Sequence, residues 1–185
     1  MLLHNQTQAI QRMNTLAKEG KDFFFIINYR ADSAYIEEFT NIAPRELLFS
    51  FPTLSNIPEA ESYSNEAVEW HTEPPTRENY EHRINLVKQR EREGDSYLAN
   101  LTCKIPIRTN LSLHDIFMRS KALYRCWMKE KFVCFSPEIF VRINREGLIS
   151  SFPMKGTIDA TRPDAEKELM ENKKEAAEHA TIVDL

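Results

Sequence analysis

The constraint that narrows the fold most lies between Lys131 and Phe152, where three short β-rich runs, "KFVCF", "EIFVRI" and "GLISSF", follow one another with little between them. The step Asn144-Arg145-Glu146-Gly147 separating the last two has hairpin chemistry, with Gly147 free to take a positive φ. Connections this short join antiparallel strands, because a parallel crossover needs a dozen or more residues. The chain must therefore contain antiparallel sheet.

Helical signals surround that sheet. A helix is expected from the N-terminus to about Gly20, and "RENYEHRINLVKQREREGD" sets Tyr80, Ile84 and Val87 on one helical face, with Gly94 placed for a left-handed C-cap. Ser112-Leu113-His114-Asp115 is a capping box that opens another helix, expected to run to about Trp127. Beyond Pro163, a stretch rich in Ala, Glu, Lys and Leu reads as two helices, the second capped by Asn172 with Glu175 as its third residue. Two further strands are expected: a buried one at Phe23–Ile27, and one from Ser96 to Ile107 in which Tyr97, Ala99, Leu101, Cys103, Ile105 and Ile107 alternate at period two. Pro44, Pro52, Pro58, Pro74 and Pro75 limit residues 41–75 to short strands and loops.

At 185 residues, with 42% hydrophobic and 28% charged residues, the chain can bury a core without disulfide or metal staples. A net charge of −4 and the lack of any basic cluster interleaved with aromatics argue against nucleic-acid binding. No apolar segment reaches bilayer length and "MLLHNQTQAIQRM" lacks a secretory signal's apolar core, so a cytoplasmic protein without membrane association is expected. Cys103, Cys126 and Cys134 are odd in number, lie in apolar surroundings and lack C-x-x-C spacing, which reads as buried free thiols.

Three constellations could carry chemistry. Lys155 stands between a proline-fixed backbone and Gly156, which lets a ligand approach closely; such a lysine is a nucleophile if its surroundings leave it unprotonated. On spacing alone an ordinary turn lysine is the commoner reading. Glu138 in "FSPEIF" has apolar neighbours that would make it a general acid, or else it is an edge-strand carboxylate facing water. Glu175 and Glu178 project from one helical face and could hold a hard cation such as Mg²⁺, or could simply form a solvated acidic face.

Taken together, "GDSYLANLT" (Gly94–Thr102), "FSPEIFVRI" (Phe135–Ile143), "FPMKGTIDATRP" (Phe152–Pro163) and "NKKEAAEHATIVDL" (Asn172–Leu185) resemble, in order and spacing, the chorismate-utilising enzymes. The resemblance covers roughly residues 77–185, the first part of a chorismate-binding domain, with residues 1–76 read as a strand and loop region of the same fold. It implies an α+β fold of two packed antiparallel sheets with helices outside, of which this chain supplies about the first half. Pro-x-Lys-Gly-Thr resembles the aminodeoxychorismate synthases, whereas anthranilate and isochorismate synthases usually carry alanine at the lysine position. Met154, where isoleucine is commoner, is a mild departure.

The resemblance implies that Lys155 attacks C2 of chorismate while Glu138 protonates the departing C4 hydroxyl, after which ammonia enters at C4 and expels the lysine. It further implies Mg²⁺ on Glu178 directly and on Glu175 through water, Gly156 and Thr157 against the substrate, and ammonia delivered by a glutamine amidotransferase subunit. The product would be 4-amino-4-deoxychorismate, on the way to para-aminobenzoate and folate. The family continues past "IVDL" into segments that hold substrate and metal, so the 185 residues by themselves are expected to be inactive or nearly so. Alternatives are another chorismate enzyme, of the anthranilate or isochorismate synthase type, or a non-catalytic fragment.

Overall fold

A computed structural model describes residues 2–59, 63, 66–96, 99–136, 138–152 and 156–183. In chain order the elements are β1 (Leu3–His4), α1 (Gln6–Lys18), β2 (Phe23–Ile27), β3 (Ala34–Glu38), β4 (Leu47–Phe51), β5 (Leu54–Ser55), β6 (Trp70–Thr72) and α2 (Arg77–Glu93). There follow β7 (Ile107–Thr109), α3 (Leu113–Arg119), β8 (Tyr124–Met128), β9 (Phe132–Ser136), β10 (Val141–Ile143), β11 (Ile149–Ser151), α4 (Ala165–Met170) and α5 (Lys173–Val183). Among the described residues every strand pairing is antiparallel, including the β10–β11 hairpin that its turn chemistry implies.

The core is layered, and side-chain alternation creates the layers. In the three-stranded sheet β1-β3-β2, Phe23, Ala34 and Ile36 point to one face and pack on Ala9, Met13 and Leu16 of α1. Phe24, Ile26 and Tyr35 point the other way, onto Leu47, Phe49, Cys126 and Met128 of the four-stranded sheet β5-β4-β8-β9. The far face of that second sheet carries Leu48 and Trp127, which close on Phe117 of α3. Helix, sheet, sheet, helix is thus the order of layers, an α+β arrangement with helices outside two antiparallel sheets. Phe24 is the bridge between the sheets, its ring 4.7 Å from that of Phe49 and stacked at 21°.

Local signals place most of the helices. Asn5 and Gln8 form a reciprocal capping box on α1, and Ser112 and Asp115 form the expected one on α3. Gly94 ends α2 in the left-handed region at φ 86°, where a residue with a Cβ is strained. No residue of α2 is fully buried: Ile84 and Val87 are half-covered and Tyr80 is exposed. Asn172 accepts from the backbone N–H groups of Lys174 and Glu175, capping α5 as its sequence implies. The Asn144–Gly147 turn also forms, with Gly147 at φ 79° and the Asn144 side chain accepting from the Leu148 N–H.

Four expectations change. The helix opened by Ser112 stops at Arg119, eight residues short of Trp127, because Tyr124–Met128 is the centre of the second sheet, between β4 and β9. Arg125, reaching back from β8, donates to the carbonyls of Phe117 and Ser120 and so satisfies the acceptors that a longer helix would have used. The period-two run from Ser96 to Ile107 is not a strand over its described residues, where only Ile107 joins β7 and pairs with β6. Alternation supplies faces, but a strand also needs a neighbour for its N–H groups, and Pro106 has no N–H to offer.

β2, expected to be buried, is the outer strand of its sheet; α1 lies over β3, and Phe25 and Ile27 are left about half exposed, at 50% and 47%. The cysteines are indeed free of disulfides, yet only Cys126 is buried, while Cys103 is half-buried and Cys134 exposed.

Candidate active site

Where the two sheets diverge, they leave an apolar cavity of about 460 Å³. Phe24 and Ile26 of β2 form one wall, Phe51, Tyr124 and Cys126 the other, and Cys134, Phe135, Ser136, Glu138, Ile139 and Phe140 the mouth. Glu138 stands in that mouth among Phe135, Ile139 and Phe140, so its neighbours are the apolar ones its sequence suggests, although the residue itself is exposed. Its backbone is fixed by Ser136, whose hydroxyl donates to the Glu138 carbonyl at 2.8 Å and accepts from the Glu138 N–H at 3.3 Å. A carboxylate presented this way can exchange protons with a ligand lying against an apolar wall.

A second group forms on the C-terminal helices. Gly156 takes φ 83° and packs tightly on Glu175: a Cβ built there would lie 3.1 Å from Glu175 Oε2 and 2.8 Å from Leu169 Cδ1. A side chain at this positive φ is strained, and its Cβ would have to displace the ends of Leu169 and Glu175. Glu175, its side chain 20% exposed, and Glu178, 41% exposed, share one face of α5 as their spacing implies. Between them sits Lys174, with Nζ 3.5 Å from Glu175 Oε1 and 3.2 Å from Glu178 Oε1. Hydrogen bonding and charge from Glu178, then charge from Glu175, raise the Lys174 pKa above that of an ordinary lysine.

Sequence reasoning missed Lys174, although its i,i+4 relation to Glu178 is a legible signal for an ion pair. The two carboxylates therefore collect a cation, and hard oxygen donors projecting from one face suit a divalent ion that keeps water on its remaining positions. Among the described residues, no cluster of three or more His, Cys, Asp or Glu side chains could enclose a metal.

Lys155 lies outside the described residues. Thr157 is exposed beside Gly156, and none of Gly156, Thr157, Glu175 and Glu178 lines the cavity that Glu138 borders. The described residues thus form two groups: Glu138 with its apolar wall, and Gly156 with the Glu175–Glu178 pair.

The sequence profile of the chorismate-binding enzymes matches residues 12–185. The chain belongs to that family. It is 38% identical over 176 residues to an uncharacterized PabA-like protein of Pasteurella multocida, which covers 95% of this chain and 54% of the relative. A protein named "Probable aminodeoxychorismate synthase, chloroplastic", from Oryza sativa subsp. japonica, is 32% identical over 109 residues, covering 51% and 12% of the two chains. Anthranilate synthase component 1 of Acetivibrio thermocellus is 28% identical over 122 residues, covering 60% and 24%. The chain spans about half the length of the PabA-like relatives it matches. No solved structure matches it significantly. Among the described residues, no helix is long and apolar enough to cross a membrane.

Gly156→Ala is expected to loosen the second group. An alanine at positive φ carries roughly 1–3 kcal/mol of backbone strain, and its Cβ would press on Leu169 and Glu175. About 2 kcal/mol corresponds to amide exchange roughly 30-fold faster in α5. Unchanged exchange there would show that the close packing of Gly156 on Glu175 has no energetic weight.

Proposed function

We propose that the chain is the chorismate-binding portion of an aminodeoxychorismate synthase component I, acting on chorismate and ammonia to give 4-amino-4-deoxychorismate for para-aminobenzoate and folate synthesis. The observation that carries this reading is Lys155 in Pro-x-Lys-Gly-Thr, in a chain that matches a PabA-like protein over 95% of its length. The Lys155 amine adds to C2 of the ring, both conjugated ring double bonds shift by one position toward C4, and the C4–O bond breaks as Glu138 gives its proton to the leaving hydroxyl. Ammonia then bonds to C4, both double bonds return to their original positions, and the C2–N bond to the lysine breaks. Covalent catalysis divides one difficult displacement into two easier ones, and a poor leaving group needs the proton donor.

Glu178, with Glu175 behind it, would hold Mg²⁺, whose chemistry is to neutralise a substrate carboxylate and fix the ring's position. Support for the pair's role is its attraction for the Lys174 ammonium. Gly156 and Thr157 would border the substrate, and Gly156 packs against the Glu175 side chain. Ammonia is supplied, on this reading, by a glutamine amidotransferase subunit in the cytoplasm.

Anthranilate synthesis is the second reading, favoured by the similarity to anthranilate synthase component 1. Product identity separates the two. A polypeptide carrying this chain within the full length of its PabA-like relatives, given chorismate, Mg²⁺ and an ammonium salt, is expected to form 4-amino-4-deoxychorismate, read by liquid chromatography and mass. Anthranilate or isochorismate as the main product would overturn the assignment.

A further inference from the structure

Cys126 on β8 and Cys134 on β9 are register partners, directly opposite one another in the second sheet. Opposed residues on antiparallel strands project from the same face, with Cα atoms about 4.5 or 5.5 Å apart depending on the pair type, and both values lie inside the range that a disulfide spans. Both side chains border the inter-sheet cavity. Their exposures differ sharply: Cys126 is 7% exposed, whereas Cys134 is open at the cavity mouth.

From this geometry we propose that Cys126 and Cys134 form a peroxide-reactive dithiol site, in which Cys134 attacks the oxidant and Cys126 resolves the product to a cross-strand disulfide. The Cys134 sulfur displaces hydroxide from hydrogen peroxide, breaking the O–O bond; Cys134 becomes a sulfenic acid, and the hydroxide takes up the thiol proton and leaves as water. The Cys126 sulfur then attacks the Cys134 sulfur, the S–O bond breaks, and a second water leaves with the Cys126 proton. Two thiols are oxidised and one peroxide is reduced to two waters. A thiol reductant reverses the change, and the disulfide alters the cavity wall that Glu138 borders.

The electrostatics favour this division of labour. Donation from the Cys126 thiol brings the Cys134 pKa down to about 7, against the burial that opposes it. The Cys126 thiol is held well above the ordinary range, first by the same hydrogen bond and then by burial, so it keeps its proton until Cys134 has reacted.

The test uses the full chain, reduced and freed of reductant, with Cys103→Ser as background to remove the third thiol. With one equivalent of hydrogen peroxide at pH 7, the intact mass is expected to fall by two hydrogens. Trypsin cuts at Lys129 and Lys131, so the Cys126 and Cys134 peptides separate unless a disulfide joins them. A linked peptide that dithiothreitol resolves is the expected product, formed roughly fivefold faster than peroxide consumes an unstructured peptide thiol. Cys126→Ala and Cys126→Ser are each expected to trap a Cys134 sulfenic acid that dimedone labels, while Cys134→Ser leaves Cys126 reduced. The proposal is overturned if Cys134 stays reduced or passes to the sulfinic acid with no linked peptide, or if Cys134→Ser leaves the rate of Cys126 oxidation unchanged.

Discussion

Lys155→Ala is expected to lower kcat for 4-amino-4-deoxychorismate formation by at least about 10³-fold while leaving the chorismate KM within a few-fold of its starting value. The asymmetry follows from the role: a nucleophile forms its bond on the way to the transition state, whereas chorismate's carboxylates would be held by other groups. Lys155→Arg sharpens the prediction. Arginine keeps the positive charge but stays protonated throughout the working pH range, so it cannot attack C2. It is therefore expected to be as inactive as alanine. Substantial activity in the arginine variant would reduce the lysine to a fixed charge, and wild-type activity in the alanine variant would remove it from the chemistry. Both variants are assayed in a polypeptide of the relatives' full length, with chorismate consumption and product followed separately.

Phe49→Ala is expected to cost about 3–5 kcal/mol of folding stability, the usual range for deleting a fully buried aromatic. Phe49 is 0% exposed, on the strand between β5 and β8. Its ring contacts Phe24 across the sheets at 4.7 Å, Phe51 at 5.2 Å and, edge-on, Phe39 at 5.3 Å. Removing it empties the junction between the two sheets, where no small shift of one side chain can fill the space. With an m value of about 2 kcal/mol/M, the urea midpoint should fall by about 2 M. Phe140, 86% exposed at the cavity mouth, serves as the control: Phe140→Ala should stay within about 0.5 kcal/mol. Equal losses at the two positions would contradict the layered core.

The features read correctly from the chain are those whose causes lie within a few residues. Ser112 and Asp115 satisfy each other's N–H groups, Asn172 caps α5, Gly94 and Gly147 take positive φ, and the Asn144–Gly147 hairpin closes, all through contacts spanning one turn. Glu175 and Glu178 share a helical face for the same reason.

What failed depended on partners remote in sequence. The alternation of residues 96–107 resembles a strand, but only the short pairing of Ile107–Thr109 with Trp70–Thr72 supplies a neighbour. The helix from Ser112 ends where β4, more than sixty residues earlier, claims Tyr124–Met128 as its antiparallel partner. Cys126 and Cys134, eight apart with no recognised motif, meet only because β8 and β9 fold back on one another.

The sequence by itself determined the antiparallel class, the helix caps and the family, since short connections, caps and linked motifs are local properties of the chain. Tertiary structure alone decided which strands pair, which face of each is covered, and that two cysteines share one cavity wall. Those outcomes rest on packing and register between distant segments, and these are set by the joint burial of Phe24, Phe49, Phe117 and their neighbours rather than by any one stretch of residues.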